Sequence, residues 1–381
     1  MLDPEQDPSG AKHIQHWAQF LRVFDPAKGS RVVLQRMIHP GLDPAAGSGL
    51  VSSIPLGSVA SAGQTALSLS VLQYLDEESI SKDEITDLFV SDNILGGLLT
   101  LVSDRMCEVV PEIPPGGSTG LNFFLPIAGA TDPQLGAPMP KWKEIDSGFR
   151  DALARLSSLP VNEASAISAA IHLHYCASLL LTRDMTGAYA LVIAGIETLA
   201  MTFGTPPTTW ADWDQATDWD KFFASQKLSE EQASAFRGRL TQDRFMRLAE
   251  TFAKYATETL PEGFWDEPVS DYIWGVQGET GKIIEGAWLP ERPRDPCFGA
   301  NRELTKKAFK KAYQVRSQFM HSGKRPVTSS DDIFGQAPGR KRSVVSFAQA
   351  RAVLRRLILI ELEKRGDPNP AGLDRPEVVA P

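Results

Sequence analysis

The sequence predicts a mostly α chain in two parts, a small N-terminal α+β domain followed by an all-α helical bundle. Three observations predict it. Between residues 31 and 140, short β-branched and aromatic runs bounded by Gly, Pro and Asp are interleaved with two helical stretches. From about 145 to 366, apolar residues recur at helical spacing through long segments with few breakers. The chain has 381 residues, 42% of them hydrophobic and 23% charged, which is enough for two or three compact domains. The boundaries drawn from this pattern are 1–145, 146–366 and a disordered tail at 367–381.

Taken in order, HIQHWAQFLRVF (13–24) predicts a short helix. RVVLQRM (31–37), LLTLVSD (98–104), MCEVV (106–110) and LNFFLPI (121–127) predict strands. TALSLSVLQYLDEE (65–78) and SKDEITDLFVSDNI (81–94) predict helices, the second with Ser81 as its cap and an acidic first turn. GATDPQLGAPMPK (129–141) is turn-rich and reads as the linker. The bundle begins with helices over 161–184 and 187–204, the latter ended by Gly204 and two prolines. A tryptophan-rich acidic loop (208–223) leads to a long amphipathic stretch (229–260), an irregular region (261–300), a helix over 303–323 and a last helix over 346–366.

Charge is unevenly placed. The whole chain carries −8, which argues against nucleic-acid binding. Residues 302–365, however, hold 16 Lys and Arg against 5 Asp and Glu, a net of +11 that leaves −19 for the remainder. Such a segment either meets a polyanion or pairs with the acidic rest of its own chain. The three cysteines, at 107, 176 and 297, lie far apart, which fits a reducing cytoplasm and neither a disulfide framework nor a paired-Cys metal site. The N-terminus lacks the basic and apolar regions of a signal peptide, and the longest apolar run, 188–201, is interrupted by Glu197, so no membrane span is expected.

The helix over 303–323 contains YQVRSQFMHSGK. On a helical wheel Leu304, Ala308, Ala312, Val315 and Phe319 form a core stripe. Arg316 lies about 80° from its centre on one side and His321 about 140° on the other. Tyr313, Ser317 and Met320 lie between them, an apolar outer face that asks for a second packing partner, most simply another subunit. Gly323 is placed to end the helix, so His321 falls in the last turn, where the helix dipole favours a protonated imidazole. Basic residues also occur at helix C-termini simply as dipole partners.

The Arg-x4-His spacing of RSQFMH, near the end of the penultimate major helix of an all-α region, resembles the signature of the HEPN superfamily. More narrowly, it resembles the ApeA-like HEPN proteins of bacterial defence islands. The supporting context covers 150–366, and Ser317 departs from the Asn, Asp or His often found after the arginine. The resemblance implies an HEPN-like bundle acting as a metal-independent endoribonuclease of toxin or anti-phage type, in the cytoplasm, as a homodimer, without a cofactor. It implies Arg316 and His321 as the catalytic pair, with His321 moving protons at the 2′-hydroxyl or the leaving oxygen and Arg316 holding the phosphate. Ser317 and Tyr313 are expected in support; Glu197, a carboxylate in an apolar helix that needs a partner, is expected either to support the site by pairing with a basic residue of the motif helix or to form an ordinary structural ion pair. Lys306, Lys310, Lys324 and Arg325 are expected along the RNA. The alternative is a non-catalytic HEPN module serving as a dimerisation or ligand-binding platform. In either case the N-terminal domain is the candidate receiver of a trigger or regulator.

Other patterns carry less. His13 and His16 lack a third metal ligand, and His172 and His174 point in different directions on their helix. Trp210, Trp213 and Trp219 sit among aspartates that would repel phosphate, which marks them for packing or partner contacts. No P-loop, nucleophile elbow or HExxH motif is present.

Overall fold

The computed structural model describes residues 36–40, 51–54, 67–72, 92–104, 108–110, 142–181, 184–213, 215–242, 248–269, 272–273, 287–288, 292–323 and 344–368. Helices dominate them. The expected helix over 13–24, the strand over 121–127 and the tail beyond 368 lie outside these residues, as does most of the stretch 81–94.

Strands β1 (Arg36–Pro40), β2 (Val51–Ile54), β3 (Leu67–Leu72) and β4 (Glu108–Val110) form one antiparallel sheet in the order β2-β3-β1-β4. Ile38 stands opposite Leu69 on one side and Glu108 on the other. Two expectations are corrected here. The helix expected over 65–78 is strand β3, because LSLSVL alternates apolar and polar residues with the period of a strand. The strand expected over 98–104 belongs to helix α1 (Asp92–Ser103). Its apolar run alone does not separate helix from strand; Gly96 and Gly97 decide it by packing. A Cβ at Gly96 would stand 2.7 Å from the Tyr175 ring, and one at Gly97 2.9 Å from Ile171 Cγ2, so only glycines let α1 lie this close to its neighbour.

The chain divides into two compact units, one of residues 1–191, 268–293 and 358–381, the other of 192–267 and 294–357. In the first, α1 packs on α2 (Trp142–Ser158) and α3 (Val161–Leu180). Leu99, Leu101, Phe149, Leu153, Ile167 and Ile171 are buried there. Arg155 Nη1 donates to the carbonyls of Gly366 (3.0 Å) and Glu363 (3.3 Å), so it occupies acceptors that the end of a helix leaves open. Two short pairs, β5 (Pro268–Val269) with β8 (Arg292–Pro293) and β6 (Tyr272–Ile273) with β7 (Ala287–Trp288), also belong to this unit.

The boundary between units falls within α4 (Met185–Phe203) and within the last helix, α10 (Phe347–Arg365). By length and composition α4 is apolar enough to cross a membrane, and half of that window is buried inside the fold. The second unit contains the end of α4, then α5 (Ala216–Ser225), α6 (Glu230–Gln242), α7 (Leu248–Glu258), the short α8 (Pro296–Ala300), α9 (Arg302–Ser322) and the start of α10. The single stretch expected over 229–260 is thus represented by α6 and α7. The expected loop over 208–223 contains most of α5.

Helices α7 and α9 pack closely along an aromatic seam. Phe252 meets Phe309 with ring centroids 6.1 Å apart and Tyr313 at 5.5 Å, and Trp265 links Phe309 to Phe298. Burying such rings contributes about 1.5–3 kcal/mol each. At the N-terminus of α8, Asp295 accepts from the amides of Cys297 and Phe298 and from Gln349 Nε2, at 2.6 Å; this buried carboxylate is fully occupied in joining two chain segments. Trp210, Trp213, Trp219 and Phe223 cluster at the α5–α6 hairpin, and Trp210 Nε1 donates to Asp220.

Candidate functional site

Helix α9 is closed at both ends by its own sequence. The Asn301 side chain accepts from the amide of Leu304 at the start. Gly323, at φ 63°, takes the left-handed conformation at the end and donates its amide to Phe319 O at 3.0 Å. His321 therefore lies in the last turn, as the glycine predicts, and it is exposed.

The buried arc of α9 is Thr305, Ala308, Phe309, Ala312 and Val315. Leu304 and Phe319, expected in the core stripe, are only half-buried, while Thr305 and Phe309 are buried in their place. The arc is therefore turned toward Tyr313. That turn corrects the expected outer face. Tyr313 points not outward to a second subunit but against Phe252 of α7 in its own chain, and Ser317 is half-buried. Of the three residues assigned to that face only Met320, 59% exposed, stays uncovered.

Tyr313 and Arg316 meet at Glu197. Arg316 Nη1 stands 2.9 Å from Glu197 Oε2, and the Tyr313 hydroxyl donates to Oε1 at 3.4 Å. Glu197 projects from the apolar helix α4 and is 18% exposed, Arg316 23%, so neither charge is fully solvated and each stabilises the other. Burial first, and then the Glu197 carboxylate, push the Tyr313 phenol above its ordinary pKa, with the Arg316 charge opposing them. Tyr313 accordingly remains a donor through the neutral range. Arg316 Nε is buried and has no hydrogen-bond partner among the described residues.

Lys306 and Lys310, expected along the RNA, both turn to Glu250 of α7, whose carboxylate is 4% exposed. The desolvated acid is matched by two half-buried ammonium groups one helical turn apart. Their charge is matched inside the unit by Glu250. Glu250 went unnoticed in the sequence, although an acid between apolar neighbours in RLAETFAKYA, with lysines at i and i+4 on a later helix, was a usable signal. Lys324 and Arg325 lie outside the described residues.

Arg316 and His321 are thus not brought together within one chain. Five residues along a helix separate them by about 140° and about 7.5 Å of rise. Among the described residues no three His, Cys, Asp or Glu side chains converge as a metal site. His172 and Cys176 approach to 3.4 Å on the exposed side of α3, and burial raises the Cys176 pKa. That shift is opposite to the one that activates a thiol.

Compared with family models, curated proteins and solved structures, the chain matches none.

Proposed function

We propose that this chain is a metal-independent endoribonuclease of the HEPN type, in a toxin or anti-phage role in the cytoplasm. The reading includes an HEPN-like helical bundle, preceded by an N-terminal α+β domain that receives the trigger, and a homodimer as the active form. The observation that carries it is the division of labour on α9. Arg316 is oriented by Glu197 and Tyr313, while His321 stands exposed in the last turn of the same helix. One chain points the two apart, and a second copy supplies the missing neighbour. In the composite site the 2′-oxygen attacks the adjacent phosphorus as one His321 takes its proton. The P–O5′ bond breaks, and the 5′-oxygen leaves with a proton from solvent, giving a 2′,3′-cyclic phosphate and a 5′-hydroxyl. The guanidinium stabilises the charge gathering on the phosphoryl oxygens. In this reading Ser317 orients one of the rings.

A second reading, a non-catalytic HEPN platform for dimerisation or ligand binding, is favoured by the same ion pair. Glu197 alone gives Arg316 a structural reason to be present.

The test is incubation of purified protein with labelled tRNA and mRNA in EDTA, beside Arg316→Lys and His321→Ala. The lysine variant keeps the charge facing Glu197 and loses the fork that grips phosphate. Cleavage by the wild type, reduced at least 100-fold in both variants, is the expected result. Cleavage that survives His321→Ala removes His321 from the reaction and overturns the proposed site, and no cleavage by a wild type that still dimerises favours the platform.

A further inference from the structure

The lysines of α9 come in two adjacent pairs, 306–307 and 310–311, and the fold treats the members of each pair differently. Lys306 and Lys310 are drawn inward to Glu250. Lys307 and Lys311 are exposed, and neither has an ion-pair partner among the described residues. Four residues apart, they lie on one face, about 6 Å from each other along the axis. The same exposed side carries Gln314, Gln318 and finally His321. No carboxylate interrupts it after Glu303, so the stripe from Lys307 to His321 runs about 21 Å with only cationic and neutral polar groups.

This is the surface that the charge of α9 leaves for a polyanion. We propose that single-stranded RNA lies along this edge of α9, with Lys307 and Lys311 on backbone phosphates to one side of the one that His321 acts on. Gln314 and Gln318 lie between them, with amides that donate to phosphate and sugar oxygens. The proposal rests on the ribonuclease reading for the partner, and it replaces the inward pair Lys306 and Lys310 with the outward pair. A cationic edge on an otherwise acidic chain also confines the RNA to this track, because the remainder repels it. Contacts of this kind read backbone and not base, so the affinity they supply is independent of sequence.

The experiment measures affinity apart from cleavage. The full chain carrying His321→Ala is titrated against a fluorescein-labelled oligouridylate of ~12 nucleotides across about 50–200 mM salt, and anisotropy gives the slope of log K against log salt. Adding Lys307→Ala and Lys311→Ala is expected to make that slope shallower by about 1.4, since each single-strand phosphate contact contributes about 0.7. Lys221→Ala, on the acidic α5 and already beside Asp218, is expected to leave it unchanged. Circular dichroism melts check that all variants remain folded. An unchanged slope in the folded double variant overturns the track, whatever the wild type does to RNA. A reduced slope in a protein that never cleaves sustains the track and sinks the ribonuclease reading. No binding by any variant overturns the track and the ribonuclease reading together.

Discussion

Glu197 shows how one residue can be read from sequence up to a point and no further. A carboxylate in VIAGIETLAM has to find a cation if it is buried, because an unpaired charge in apolar surroundings is prohibitive. Which cation it finds depends on the rotation of α9, and that is decided by packing. Phe309 and Thr305 enter the core where the wheel favours Leu304 and Phe319, which brings Tyr313 and Arg316 round to Glu197. A wheel weighs each apolar residue alike, whereas the seam between α7 and α9 selects the aromatic side chains that meet Phe252. The pair is expected to couple strongly. Glu197→Ala alone should cost about 1–3 kcal/mol, measured in urea, because it strands a half-buried guanidinium. In a double-mutant cycle with Arg316→Ala the coupling should exceed about 1 kcal/mol. Simple additivity would mean that the pair behaves as an exposed one.

At the scale of elements, the helices of the second half were legible and the N-terminal elements only partly so. Gly323 announces the end of α9, and the Gly204–Pro206–Pro207 sequence announces the end of α4. Strand β3 is legible in principle, since Leu and Ser alternate through it, but the apolar content of the longer stretch 65–78 also fits a helical period. Helix α1 was not legible from period alone, because its identity depends on the close approach that Gly96 and Gly97 permit against Tyr175 and Ile171. Glu250 is the strongest prediction at this scale. Replacing both Lys306 and Lys310 by Ala leaves a carboxylate that is 4% exposed without a counter-charge, and should destabilise the protein by about 3 kcal/mol or more. The same change at Lys307 and Lys311 should stay within about 0.5 kcal/mol. Equal losses from the two double variants, by thermal or urea denaturation, would remove the distinction between inward and outward lysines.

For the whole molecule, the resemblance read in RSQFMH and the placement of Arg316 and His321 have to be reconciled in one object. A helix aims two side chains about 140° apart poorly at a single phosphate, so the proposed ribonuclease activity calls for a second copy of the chain. On the outer face that suggests that copy, Tyr313 packs against Phe252 of α7 and Ser317 is half-buried, which leaves Met320 beside His321 as the exposed apolar contact. The requirement for two copies therefore stands on the chemistry of the pair. It is tested most directly by complementation. Arg316→Lys and His321→Ala proteins, each expected to be inactive on RNA, are mixed after partial unfolding so that chains exchange. If the site is shared between chains, mixed dimers rebuild one intact site each, and cleavage returns to roughly a quarter of the wild-type level. If mixed dimers form and cleavage stays at the level of the separate variants, the shared site is contradicted, and with it the account of how this helix carries out catalysis.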